Sequence, residues 1–199
     1  MKVLAEGAEA VVYETSLNGI SALLKRRMRK GYRSSEMDTK IRSQRSKTEA
    51  RVIAAVSKAG VNAPRLLLYD GYDVYMTRVD GRRLAETIRS GPVNGSVFEK
   101  VGKMLGNLHN AGVAHGDYTP ANIIVSNGQP YVIDFGLSEM TDSAEERALD
   151  VLLMKRSVSK SQYAHFLEGY RSVARSEKET LRRLGVIERR GRYQTRTLT

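Results

Sequence analysis

The first quarter of the chain is a series of short β-rich runs. "VVYETSL" (11–17) and "ISALLKR" (20–26) predict two strands, and "LNG" between them supplies the turn. "KTEARVIAAVSKAG" (47–60) changes period. Ala50, Ile53, Ala54 and Ser57 fall on one side of a helix that Gly60 closes as a C-cap. "RLLLYDG" (65–71) and "YDVYMTRV" (72–79) return to strand, and "DGRR" (80–83) reads as a hinge-like break. The pattern is mainly helical after it. "SVFEKVGKMLGNLHNAG" (96–112) predicts a helix with Ser96 and Glu99 as a capping box and Val97, Val101, Met104, Leu105 and Leu108 as its apolar face. "NIIVSNGQPYVIDFG" (122–136) predicts a hairpin around "SNGQ". "SAEERALDVLLMKR" (143–156) and "YAHFLEGYRSVA" (163–174) predict helices, while "ERRGRYQTRTLT" (188–199) has no periodicity and reads as a mobile tail.

This order gives an α+β chain of one domain: a strand-rich lobe with its hinge (1–79), a helical lobe (80–188) and a basic tail (189–199). Clefts between such lobes are common ligand sites. With 199 residues, 41% of them apolar, the chain can bury one core. The absence of cysteine excludes disulfides and cysteine-ligated zinc. Acids arrive too early in "MKVLAEGAEAVVYE" for a secretory leader, and no apolar run reaches a membrane span, so a soluble cytoplasmic protein is expected.

The net charge of +11 is regional. Residues 25–47 hold ten Lys/Arg against two acids, and residues 171–199 hold nine against three. Such patches suit a nucleic acid, with a solvated surface as the plain alternative.

Chemistry concentrates in "HGDYTPAN" (115–122) and "IDFG" (133–136). Asp134 follows a short apolar run, and its carboxylate is a suitable hard ligand for Mg²⁺. Asn122 adds a carbonyl oxygen, leaving Asp117 to accept a proton from an attacking hydroxyl or to orient a water. Each fragment is weak alone. Together, with Asn122 five residues after Asp117 and Asp134 twelve after that, they resemble the catalytic loop and metal-binding triplet of the protein-kinase superfamily.

That resemblance implies a bilobal kinase-like fold that uses ATP and Mg²⁺. It implies a strand lysine, matched by Lys25, and a helix glutamate paired with it, matched by Glu49, with Glu36 and Asp38 as weaker rivals. A phosphate-covering turn is matched by "EGAEAVVY", where Gly7, Ala8, Glu9, Ala10 and Val12 would face the nucleotide. Met76 would be the gatekeeper, and the backbone of Thr77 and Val79 would meet adenine. His115 reads as a prop of the loop, and Asp150 as an acceptor for the loop's backbone. His109 and His165 read as ordinary helix residues.

"GAEAVVY", "LLKRRMRKGYR", "MDTKIRSQRSKTEARVIAAVSKAGVNAPRLLLYD", "HGDYTPANIIV", "VIDFGLSE" and "SAEERALDVLLMKRS" together resemble the small atypical kinase subunit of the KEOPS complex, the Bud-thirty-two family, called PRPK in animals. The resemblance covers nearly the whole chain, with the basic ending only loosely similar. It implies a part in forming threonylcarbamoyladenosine in tRNA beside the anticodon, as an atypical serine/threonine kinase or ATPase. It also implies binding to the threonylcarbamoyl-transferase subunit, a small KEOPS partner on the first lobe, and tRNA at the basic regions. Gly116 stands where ordinary kinases carry an arginine, and no activation segment is visible between "DFG" and "SAEERALD". The alternatives are a RIO-type kinase of ribosome assembly, which "GAEA" and "SAEERALD" disfavour, an aminoglycoside-type phosphotransferase, which needs a larger second half, and a catalytically silent RNA-binding scaffold.

Overall fold

The computed structural model describes residues 1–7 and 9–196, with side chains as far as Arg190. Five antiparallel strands form the first sheet: β1 (Lys2–Glu6), β2 (Ala10–Leu17), β3 (Ile20–Arg27), β4 (Leu66–Asp70) and β5 (Asp73–Thr77), in the order β1-β2-β3-β5-β4. The β2–β3 register sets Val12 opposite Lys25 and Leu17 opposite Ile20, with Asn18 and Gly19 at the turn. β3 is central, so Ala22 and Leu24 are buried.

Between β3 and β4 lies α1 (Ser35–Lys58), capped by the Ser34 hydroxyl on the Met37 amide. It begins twelve residues before the apolar periodicity does. Its inward face is Glu49, Ala50, Val52, Ile53 and Val56; Ala54 is half-buried and Ser57 exposed, so the buried stripe is rotated from the predicted one. At its end the Val61 amide donates to the Val56 carbonyl and the Gly60 amide to Ser57. Gly60 takes the left-handed conformation (φ 70°) that this closure requires.

The second lobe starts with β6 (Arg82–Arg83) and α2 (Leu84–Ser90). α3 (Gly95–Asn110) is capped by Asn94 on the Ser96 amide, not by Ser96 itself, which lies inside the helix. β7 (Val113–Ala114), β8 (Ile123–Ser126), β9 (Gln129–Val132) and β10 (Glu139–Met140) follow. β8 and β9 form the expected hairpin, β6 pairs with β8, and β10 pairs with β7. α4 (Ala144–Ser157) is capped by Ser143. α5 (Lys160–Val173) opens with a capping box between Ser159 and Gln162.

α6 (Glu177–Arg196) replaces the predicted mobile tail through Arg196. It packs on α4 through Leu184, the Arg147–Glu179 and Lys155–Glu188 ion pairs, and a contact between Arg183 and Glu145. Leu181, Leu184 and Ile187 form its apolar stripe, whereas the turns after Ile187, which fall in the stretch expected to be mobile, are polar. Among the described residues no helix is long and apolar enough to cross a membrane.

The second-lobe core joins Phe98, Leu105 and Leu108 of α3 to Phe166 and Tyr170 of α5. The two helices meet at backbone contact. A Cβ on Gly102 would lie 1.9 Å from the Phe166 carbonyl oxygen, and one on Gly169 would lie 1.9 Å from that of Glu99. Gly169→Ala is therefore expected to force the crossing apart and cost about 1–3 kcal/mol, as overpacking does. Denaturant unfolding checks this, and an unchanged midpoint would mean that the crossing is loose.

Candidate active site

Lys25 projects from β3 toward α1 and the loop after β9. Its ammonium lies 2.6 Å from Glu49 Oε1 and 2.6 Å from Asp134 Oδ1. Burial pushes the ammonium toward its neutral form, but the two carboxylates outweigh it and hold the pKa above the usual lysine value. Burial likewise raises Asp134, and Lys25 outweighs that effect, so its carboxyl stays below the ordinary range. Asp134 has φ 64°, an uncommon conformation for an aspartate, with Oδ1 also accepting from the Gly136 amide at 3.1 Å. Its side chain remains 53% exposed. The strained loop thus turns a carboxylate outward while fastening one of its oxygens.

Sequence reasoning missed Arg27. Two positions beyond Lys25 on the same strand, it occupies the same face of β3. Its Nη2 donates to Glu49 Oε2 at 2.7 Å, so Glu49 carries one buried cation on each oxygen. Nη1 lies 3.6 Å from Glu9. Its Nε is a buried donor with no hydrogen-bond partner among the described residues. The signal was present in "LLKRR", where alternation puts Lys25 and Arg27 together, but a basic run conceals a buried member.

The octet 115–122 is fixed from below. Asp150 on α4 is fully buried and accepts the His115 amide at 2.7 Å and the Gly116 amide at 2.8 Å. The Asp117 amide donates to His115 Nδ1, so the imidazole carries its proton on Nε2, which faces the Ile133 carbonyl at 3.2 Å. Burial pushes His115 down, keeping it a neutral prop rather than a base. Asn122 Nδ2 donates to Asp117 Oδ2 at 2.7 Å and to the Asp117 carbonyl at 3.0 Å. This leaves the Asn122 amide oxygen free of that pairing.

His109 is not an ordinary helix residue. It is buried, with Nδ1 on the Tyr170 hydroxyl at 2.9 Å and Nε2 on Asp150 at 3.2 Å. Burial lowers its pKa as well. Gly116 also acquires a reason. Its φ is 77°, and a Cβ would lie 2.4 Å from the Leu137 carbonyl oxygen, so the kinase arginine has no room there. Beyond Gly136 only Leu137 and Ser138 precede β10, and the Ser138 hydroxyl donates to the His115 carbonyl at 2.9 Å. The expected lack of an activation segment is thus a physical closure of the loop onto the octet.

A cleft of about 380 Å³ runs between the lobes. Val12, Lys25, Glu49, Met76, Val79 and Asp134 line it, joined by Leu4, Ala5, Leu23, Ile124 and Ile133. Several predicted nucleotide contacts are placed elsewhere. Thr77 spends its amide on the Arg65 carbonyl and does not line the cleft. Gly7 and Ala10 close the turn through a 2.9 Å backbone bond, and Glu9 faces Arg45 and Arg27 rather than the cleft. Ala8 lies outside the described residues. Asp117 and Asn122 stand outside the cleft's lining. Of Glu49's rivals, Asp38 pairs with Arg42 and the Lys30 amide, and Glu36 is exposed.

A strand lysine bridging a helix carboxylate and a loop aspartate, together with an Asp–Asn pair, is the arrangement of a protein-kinase-like fold. A model described as the RIO domain matches residues 12–160, and the "KEOPS complex subunit Bud32" of Pyrococcus abyssi (strain GE5 / Orsay) is 34% identical over 99% of this chain and 98% of that protein, so the chain belongs to the RIO-domain family, within its Bud32 group. A "Probable bifunctional tRNA threonylcarbamoyladenosine biosynthesis protein" of Methanothermobacter thermautotrophicus is 36% identical over 96% of this chain, which spans 36% of that longer protein. Among solved structures, WaaP in complex with acyl carrier protein shares the fold with a TM-score of 0.67 at 18% identity, covering 96% of this chain and 88% of that one. The Rio2 kinase–ADP/Mg²⁺–phosphoaspartate complex from Chaetomium thermophilum has a TM-score of 0.62 at 15% identity, covering 98% and 72%.

Two outcomes follow from this geometry. Glu49→Ala leaves Lys25 and Arg27 buried with their shared carboxylate gone. It is expected to destabilise the fold by about 3–5 kcal/mol, beyond any loss of turnover. A normal urea midpoint would show that Glu49 serves Lys25 alone.

The second concerns pH. His109 and His115 have lowered folded pKa values, so the unfolded chain binds protons that the folded chain refuses. Stability should be full above about pH 6.5 and fall as pH drops through that value, ahead of the carboxylates. A flat unfolding free energy from pH 7 to pH 5.5 would contradict two buried neutral imidazoles.

Proposed function

We propose that this chain is an Mg²⁺-ATP-dependent atypical kinase or ATPase subunit of a KEOPS-type assembly, supporting threonylcarbamoyladenosine formation in tRNA. The Lys25–Glu49–Asp134 cluster at the cleft carries this reading. The donor set fits the nucleotide. Asp134 offers a half-exposed carboxylate and Asn122 an amide oxygen, the hard ligands that Mg²⁺ takes, and Lys25 offers a cation to phosphate. Bound Mg²⁺ would neutralise charge on the transferring phosphoryl group.

The chain's own residues then have distinct duties. Glu49 holds Lys25 at the cleft wall. Asp150 and His115 hold the loop. Asp117 orients the attacking hydroxyl or water and accepts its proton, with Asn122 fixing that carboxylate's rotamer. The closure of Ser138 onto His115 leaves no extended segment on which a peptide would lie, which favours water or a partner's side chain as acceptor. Exposed Leu137 and Met140 beside the loop suit a docking subunit, the threonylcarbamoyl transferase. The small KEOPS partner is assigned to the first lobe. For tRNA, exposed Lys178, Arg182 and Arg189 share one face of α6.

The test is phosphate release by the full chain, alone and with the transferase and tRNA. Asp117→Asn should lower kcat by about 10²–10⁴-fold with little change in nucleotide affinity. Asp134→Ala should abolish Mg²⁺-dependent turnover while still unfolding in one cooperative thermal transition, since Lys25 keeps Glu49. Wild-type kcat in Asp117→Asn, or Mg²⁺-dependent turnover in Asp134→Ala, would refute the assignment.

A further inference from the structure

A second cluster of ligand-type side chains lies away from the cleft, where α3 crosses α5. Glu99 projects from α3. His165 and Glu168 stand three positions apart on α5, the spacing that sets two side chains on one helix face. One ligand atom from each lies within 4.8 Å of the others. None of the three lines the cleft.

The spacing within this group has a chemical meaning. His165 Nδ1 is 3.6 Å from Glu99 Oε1. That is too long for a direct hydrogen bond, which requires about 2.7–3.2 Å. It is close to the separation of about 3.4 Å between two ligands of a tetrahedral zinc, each roughly 2.1 Å from the metal. The imidazole is also held in place. A Cβ on Gly95 would fall 2.5 Å from His165 Nε2, so the ring lies against the α3 backbone with Nδ1 toward Glu99. The backbone contacts at Gly102 and Gly169 fix the interval between the helices, and with it the interval between Glu99 and its two partners. Metal sites in helix bundles are likewise built from carboxylate and imidazole side chains that project from facing helices.

We propose that Glu99, His165 and Glu168 form a site for a zinc-class divalent cation that clips α3 to α5. The imidazole sets the class. Mg²⁺ and Ca²⁺ take oxygen ligands, whereas one nitrogen with two carboxylates suits Zn²⁺ or Co²⁺. Three protein ligands leave a fourth position open to water or to a side chain of a docked partner.

Zn²⁺ and Co²⁺ titrations of the full chain, without nucleotide or Mg²⁺, test the site. The wild type and Asp134→Ala should each bind Zn²⁺ here and unfold at a higher temperature with it. Co²⁺ should give a visible d–d absorption. His165→Ala and Glu99→Gln should bind at least about tenfold more weakly, since even loss of a supporting outer contact costs 10–100-fold. They should also lose the zinc-dependent thermal shift and, for His165→Ala, the nitrogen-ligated cobalt spectrum. Metal-free thermal transitions confirm that both variants fold. Equal zinc affinity in wild type and His165→Ala, or a cobalt spectrum indifferent to that change, would overturn the proposal and leave His165 and Glu99 as a surface pair.

Discussion

Three charges meet at the ammonium of Lys25, and the molecule is arranged around that meeting. β3 supplies the cation, α1 a buried carboxylate and the loop after β9 a half-exposed one. Each belongs to a different layer, so the two lobes are pinned together at one nitrogen atom. The attraction is strong because water is largely excluded, and for the same reason an unmatched partner would be costly. Arg27 adds a second cation to the buried side of Glu49. In the proposed function, Glu49 would stay neutralised when Lys25 turns part of its charge to a phosphate, and Asp134, the exposed member of the cluster, would exchange Lys25 for a metal ion.

The same pairing changes the meaning of the basic stretch at 25–47. Arg26 is held bidentately by Asp73, Arg27 by Glu49, Arg42 by Asp38 and Arg45 by Glu9. Acids from the turn before β2, from β5 and from α1 thus neutralise much of what looks in the sequence like a surface for a polyanion. Arg42 also lies over the Tyr72 ring at 4.1 Å. These contacts weld the N-terminal half of α1 and the turn between β1 and β2 to the sheet. The turn is anchored by Glu9, which is why Glu9 faces α1 and not the cleft.

The parts legible in sequence were those set by short spacing. The octet and the triplet after β9 came from motifs of fixed spacing and the hairpin from its turn residues, whereas the Lys25–Glu49 pairing followed from the resemblance those motifs carry. What stayed hidden was stabilised by charge. The first turns of α1 are held by Asp38, and further along Ser46 donates to the Tyr72 carbonyl, so that half shows no apolar period; α6 has a short apolar stripe, Leu181, Leu184 and Ile187, but its last turns are polar. His109 and Arg27 look like ordinary polar residues until the fold buries them. Ser96 was read as a cap because Glu99 follows at the right interval, but Asn94 holds the position and Glu99 faces α5.

Lys25 is shared between two carboxylates, and the proposed function requires Asp134 to exchange it for a metal ion. A crystal structure of the full chain with Mg²⁺ and a non-hydrolysable ATP analogue tests it most directly. Lys25 should keep its contact with Glu49 and leave Asp134 for a phosphate oxygen, with the ion held by Asp134 and the Asn122 amide oxygen. An intact Lys25–Asp134 pair beside bound nucleotide, or an ion held by other side chains, would contradict the account.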